Sequence, residues 1–253
     1  KIEKYFDDVP EDKRAITLHH LLTHSSGLKD AFGDDFAPVK RDDIIRLALE
    51  SELLWPAGTE YRYSNAGYSL LAAIIELVTG ESYERYVHDE LFVPAGMLTT
   101  GYQIPEWDLD QMAHGYLHDG EDWGTLLDYD WDDDGPYWNL RGNGGIMSTA
   151  EDLFRWHQAL QGDRILSAEA KRKYFTPYVK EGRGVNTYYG YGWVVVERKD
   201  GTKVLWHDGG NGIFLADMMR FLDDDGDAML LMASNRQDFR VDRYKLLVLN
   251  WFR

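Results

Sequence analysis

Tyr63 and Asn65 stand two residues apart in the stretch YRYSNAGY, residues 61–68. A phenol so placed can take or relay a proton, and a carboxamide beside it can orient a polar substrate group. Far downstream the chain carries His207-Asp208-Gly209-Gly210. An imidazole changes charge near neutrality, and a strand edge made of glycine lets a substrate lie close to the backbone. A third stretch, GNGGIMSTAEDL at 142–153, is a glycine-rich loop entering a helix. Taken singly, each has a plainer reading: a structural tyrosine beside a helix cap, a turn, a loop.

Three further patterns invite chemistry and are weaker. Ser26-Gly27-Leu28-Lys29 fits Ser-x-x-Lys by letter. A working pair of this kind needs the first turn of a helix, so that serine and lysine share one face. Here Gly27 lies inside the motif, and Ser26 falls where the preceding helix should end, which makes Ser26 a poor nucleophile. Asp130-x-Asp132-x-Asp134-Gly135 has the alternating carboxylates of a calcium loop, yet Arg141 stands where the closing glutamate belongs. A solvated acidic loop is the better expectation there. His20 and His24 have i, i+4 spacing, which suits zinc on a helix, but no glutamate of the zincin type lies between them.

The elements that must position these residues are mostly readable. Thr17 caps a helix over 15–28 with Gly27 as its stop, and residues 41–51 form a second helix with Ile44, Ile45, Leu47 and Leu49 inward. AGYSLLAAIIELVTG is the clearest helix, ended by Gly80, and SYERYVHDELFVPAGM predicts another that stops before Pro94. Residues 99–140 are irregular, aromatic and rich in aspartate, an insertion over a cleft, with Trp123, Trp131, Tyr137 and Trp138 as candidate walls of an acyl pocket or tethers of the loop. Ser148 or Thr149 opens a helix with Leu153, Phe154, Trp156 and Leu160 as its apolar stripe, and SAEAKRKYF is one more. Then short apolar runs follow, separated by turns at Asp200-Gly201 and Asp225-Gly226, and VDRYKLLVLNWF closes as a helix. Helices, then a meander, then a helix give an α+β layout: an antiparallel sheet flanked by helices plus a helical subdomain. The helical subdomain spans about 15–175 and the sheet subdomain about 185–253 of a single domain, 1–253.

Composition narrows the classes. The 253 residues carry a formal net charge of −17, which opposes nucleic acid and anionic membrane surfaces. There is no cysteine, so disulfides and thiolate metal sites are excluded. No apolar run is long enough to span a membrane.

The ordered set ITLHHLLTHSSGL, PAGTEYRYSNAGYSLLAAIIELVTG, GNGGIMSTAEDL and WHDGGNG resembles the serine hydrolases of the class C β-lactamase and penicillin-binding-protein type. That family includes family VIII-type carboxylesterases, D-aminopeptidases and D,D-peptidases, and the resemblance runs over nearly the whole chain. It implies the β-lactamase/transpeptidase-like fold and three catalytic elements: Ser-x-x-Lys on a helix, Tyr-x-Asn, and a Lys-Thr-Gly or His-x-Gly strand. Tyr63 would be general base or proton relay, and Asn65 would orient substrate or lysine. His207 would stand where other members have lysine, Gly209 would admit the substrate, and the Gly210 N–H would serve the oxyanion. Ser-x-x-Lys would precede HHLLTHSSGL by several tens of residues. The nucleophile helix and first strands are therefore expected on a segment absent from this chain, which would be inactive alone and would pair with its own missing N-terminal fragment.

The resemblance further implies an acyl-enzyme, no cofactor, and small esters, amides or β-lactams as substrates. His-x-Gly points to esterases and peptidases rather than to a dedicated β-lactamase. The site of action it suggests is periplasmic or extracellular. A member that binds without turnover, and a calcium-dependent binding module built on Asp130, Asp132 and Asp134, are the alternatives.

Overall fold

Thr17 is extended and its Oγ1 accepts the His20 amide at 3.2 Å, which starts α1 (Leu18–Leu22). In the computed structural model, which describes residues 1–223 and 227–237, this helix is shorter than the sequence predicts. It stops at His24, whose φ is +53°. The Ser25 amide reaches back to His20 O at 2.8 Å and the His24 amide to Leu21 O at 3.3 Å, so the helix ends in a Schellman turn with histidine in the left-handed place glycine usually takes. Gly27 has another role. Its φ is +82°, and a Cβ there would lie 2.1 Å from the Trp55 carbonyl oxygen, so glycine alone permits the two loops to meet.

Three helices follow. α2 (Arg41–Glu50) buries Ile44 and Ala48, with Ile45 and Leu49 packed beside them and Leu47 half-buried. α3 (Asn65–Thr79) is capped by Ser64, whose Oγ accepts the Gly67 amide at 3.1 Å, and ends at Gly80 with φ +76°. Its Leu70 and Ile74 join Ile16, Leu21, Leu28 and Ala48 in the helical core, while Ala72 and Ala73 pack with Ile44 and Trp138. α4 (Tyr83–Val87) passes through a π-helical stretch, His88–Phe92, into α5 (Val93–Ala95), which ends at Gly96 with φ +79°. The predicted stop before Pro94 is therefore corrected: Pro94 sits in the first turn of α5, where its missing N–H is tolerated, and the wide π turn before it makes room for the ring.

The irregular segment is pinned at both ends. Glu84 Oε1, on α4, accepts the amides of Tyr102, Gln103 and Ile104 at 2.6–2.7 Å. Arg141, 1% exposed, donates to Pro136 O at 3.0 Å and Asp134 at 2.7 Å and lies over Trp138. Between these anchors β1 (Gly115–Tyr116) and β2 (Asp122–Gly124) make a small antiparallel pair. α6 (Ala150–Gln161) is capped by Thr149 through the Asp152 amide; it buries Leu160 but leaves Phe154, expected inward, 48% exposed. α7 (Ala168–Tyr174) is capped by Ser167.

The sheet is a six-stranded antiparallel meander in sequence order: β3 (Val179–Lys180), β4 (Tyr188–Tyr189), β5 (Val194–Glu197), β6 (Lys203–Gly210), β7 (Leu215–Leu222) and β8 (Ala228–Ser234). Asp200-Gly201 turns β5 into β6, with the Arg198 amide on Thr202 O at 2.8 Å. The Asp225-Gly226 turn and the closing helix over 241–252 lie outside the described residues. The order of elements gives the expected α+β fold. Among the described residues no helix is long and apolar enough to cross a membrane.

Candidate active site

Tyr63 Oη and His207 Nε2 lie 3.3 Å apart, although 144 residues separate them in sequence. Each is placed by local geometry. Tyr63 directly precedes the Ser64 cap, so the start of α3 sets its backbone; the Ser64 hydroxyl also donates to Lys29 O at 2.6 Å. His207 sits on β6 opposite Met218 of β7, in an eight-residue pairing that runs from Lys203↔Leu222 to Gly210↔Leu215. Asn65 occupies the first position of α3, and its amide donates to Asp30 Oδ1 at 3.1 Å.

The phenol is held in its neutral form. Burial raises the Tyr63 pKa above its ordinary value, and the carboxylates of Asp30 and Asp208 push it further the same way.

The two glycines differ. A Cβ at Gly209 would meet nothing within 4 Å, so the sheet face there is open, and the pairing of β6 with β5 ends at Trp206, before this residue. A Cβ at Gly210 would lie 2.4 Å from Phe214 O and 2.5 Å from Leu215 Cδ2, so glycine at 210 is required by the close return of the β6–β7 turn. In the glycine-rich loop, Gly142 has φ +83° and a Cβ there would strike Ala72 of α3 at 2.5 Å; Asn143 Nδ2 then reaches Ser69 Oγ at 2.8 Å. This loop is thus clamped to the helix that begins beside Tyr63.

His24, which its spacing pairs with His20, lies instead against Tyr63. The two ring centroids are 4.1 Å apart at 34°, and Tyr68 and Tyr189 pack on the same imidazole at 5.0 and 4.5 Å. Its Nδ1 accepts the Ser64 amide at 3.0 Å. Burial, and after it the neighbouring His207, push its pKa down to about 3. A neutral ring that accepts at Nδ1 carries its proton on Nε2. Because His24 has left the helix, it does not share a face with His20.

Other sequence candidates are not brought to this site. Ser26 is 1% exposed in the turn after α1, where its Oγ accepts the Leu28 amide at 3.3 Å, and it shares no helix with Lys29. The three aspartates do not converge on a cation: Asp130 accepts from Tyr137 Oη, Asp132 pairs with Lys40, and Asp134 pairs with Arg141. Among the described residues no group of His, Asp and Glu could hold a metal. Of the aromatic candidates, Tyr137 and Trp138 are buried and Trp131 packs edge-on to Tyr102, so these three tether the segment. Trp123 differs. It stacks on Tyr129 at 4.6 Å and meets Phe214, in the β6–β7 turn, at 5.8 Å. His24, Asp30 and Tyr189 are neighbours of Tyr63 that sequence reasoning missed. For His24 the signal available was a helix that loses its apolar periodicity after Leu22, before Gly27 is reached.

Comparison with known proteins gives the family and agrees with the fold. The family model described as Beta-lactamase matches residues 1–248. A penicillin-binding protein of Bacillus subtilis (strain 168) is 30% identical over 256 residues, covering 94% of this chain and 55% of the relative. The putative penicillin-binding protein PbpX of the same strain is 33% identical over 195 residues, covering 77% of this chain and 46% of the relative. Among solved structures, the octameric penicillin-binding protein homologue from Pyrococcus abyssi superimposes with a TM-score of 0.78 at 26% identity, over 98% of this chain and 59% of that one. The chain spans about half the length of the curated relatives it matches.

Proposed function

Since the chain belongs to the Beta-lactamase family, we propose that it carries the phenol–imidazole part of a serine hydrolase that acts through an acyl-enzyme on small esters or amides. The observation that carries this reading is the approach of Tyr63 Oη to His207 Nε2 at 3.3 Å. The nucleophile is a serine outside these 253 residues; the letter-match inside them, Ser26, is buried in a turn.

The raised Tyr63 pKa favours a relay over a standing phenolate. As the serine Oγ attacks the carbonyl carbon, its proton passes to Tyr63 Oη, and the phenol's own proton passes to His207 Nε2. The same two transfers run backwards to protonate the leaving alkoxide or amine. Water then repeats the cycle on the acyl-enzyme. Asn65 orients the substrate, the open edge at Gly209 receives its backbone, and the Gly210 N–H donates to the oxyanion, a contribution typically of ~3 kcal/mol.

The test is a panel of p-nitrophenyl esters, D- and L-amino-acid p-nitroanilides and a chromogenic cephalosporin, offered to the full-length protein. Esters or amides are expected to turn over faster than the β-lactam. Tyr63→Phe and His207→Gln are each expected to lower kcat/KM by about 10²–10⁴. A fluorophosphonate adduct that maps to Ser26, or Tyr63→Phe at wild-type rate, would overturn the assignment. The alternative is a family member that binds without turnover. Stoichiometric ligand binding with no product release by the full-length protein would select it.

A further inference from the structure

We propose that His24 is a positioning residue for the Tyr63–His207 pair, holding the tyrosine ring by stacking and the Ser64 amide by accepting its hydrogen bond, so that the phenol oxygen meets the imidazole of β6. The inference rests on reading Tyr63 and His207 as a working pair.

Three independent features of His24 point the same way. Its place in the fold is wrong for a histidine kept only to end a helix. The left-handed φ of +53° at the Schellman position suits glycine or asparagine, and a β-carbon there costs backbone energy. Such strain, when kept, asks for a second role. The side chain supplies one. It is 1% exposed and sits 4.1 Å from the Tyr63 ring centroid. Its Nδ1 takes the Ser64 amide at 3.0 Å, the amide of the residue that both follows Tyr63 and caps α3. One imidazole therefore touches the catalytic ring and the backbone on its C-terminal side.

The turn that carries His24 is in turn laced to the loop before α3. His24 O accepts the Arg62 amide at 2.8 Å, Ser25 O the Gly58 amide at 2.7 Å, and Gly27 O the Leu54 amide at 2.8 Å. Tyr63 is thus fixed from both flanks, at Arg62 and at Ser64, by the same histidine. The ring's low basicity suits this role, since a neutral imidazole keeps Nδ1 free to accept the amide.

The experiment separates positioning from simple structure by using variants that the backbone prefers. His24→Asn and His24→Gly both suit a left-handed residue, so the turn is retained while the stack is lost. The readout is the His207 imidazole carbon–proton NMR signal of the full chain, assigned by its loss in His207→Gln. Tyr63→Phe removes the phenol oxygen and calibrates how far that signal moves when the contact is absent. His24→Asn is expected to reproduce at least about half of that movement, and His24→Gly more of it. In the full-length protein, His24→Asn should lower kcat by about tenfold with KM within about twofold, the pattern of misplacement rather than lost binding. A His207 signal at its wild-type position in both variants overturns the proposal, whether or not the melting temperature falls. So does a Tyr63→Phe variant that leaves His207 unmoved. Because the NMR readout needs no turnover, a protein that hydrolyses nothing would sink the functional reading and leave this one standing.

Discussion

His24 couples the site to acidity. Its ordinary pKa of 6.5 is pushed down to about 3, chiefly by burial. An unfolded chain takes this proton as pH falls through 6.5, and the folded chain refuses it until about pH 3. The stability it contributes is therefore complete above that window, declines as pH drops through it, and levels off below. At ~1.4 kcal/mol per pH unit, moving from pH 7 to pH 5 should cost about 2 kcal/mol through this one group. His24→Asn is expected to remove that share: urea unfolding free energies at the two pH values should differ by about 2 kcal/mol less than in the wild type. An equal difference in both proteins would refute the linkage. His19, His20 and His157 are lowered too, each mainly by burial, and remain as background in both. At this scale the sequence is legible only in part. Tyr63, Asn65 and His207 emerge through the resemblance of whole motifs, since nothing local tells a tyrosine that an imidazole waits 144 residues away. His24 is visible as a histidine but spaced like a partner of His20, because its backbone leaves the helix that the spacing assumes.

Elements begin where their sequences say and end where packing decides. Thr17, Ser64, Thr149 and Ser167 cap their helices as hydroxyls before apolar stripes should, because capping is settled within four residues. The π stretch at His88–Phe92 is not readable, and the stop at His24 shows only as an apolar stripe that ends at Leu22, since both depend on what lies against the helix. The meander is legible from its turns, but not the pairing that sets Gly209 in the open and Gly210 against β7. That pairing makes the two glycines separable by experiment. Gly209→Ala should leave the melting temperature within about 1 °C and lower kcat/KM of the full-length protein by about tenfold, as a methyl group enters the substrate's path. Gly210→Ala should lower the melting temperature by several degrees, about 1–3 kcal/mol, since carbonyl and leucine atoms already fill the space. The reverse order of effects, read by scanning calorimetry and initial rates, would show that the edge at 209 is not where substrate lies.

The whole molecule carries a formal net charge of −17, and its carboxylates repel one another across the surface. Salt should relieve this: raising NaCl from about 0.02 to about 0.5 M is expected to lift the melting temperature by a few degrees. No rise, or a fall, would mean that ion pairs such as Arg155 with Glu151 and Asp152 outweigh the repulsion. Composition discloses this charge at once, and the spacing of its aspartates also suggests a calcium loop that the fold does not build. Asp130, Asp132 and Asp134 alternate in sequence but point to three different partners, which no count of carboxylates could foretell. A last consequence lies in the eight paired residues of β6 and β7. Successive side chains on a strand face opposite ways, so His207 and Asp208 hold positions of opposite parity. Were the hairpin to slip by a single residue, the phenol of Tyr63 would be offered a carboxylate in place of an imidazole. The identity of the side chain that meets Tyr63 is thus kept by counting, odd against even along a ladder of amides, and every hydrogen bond in that ladder helps to keep the count.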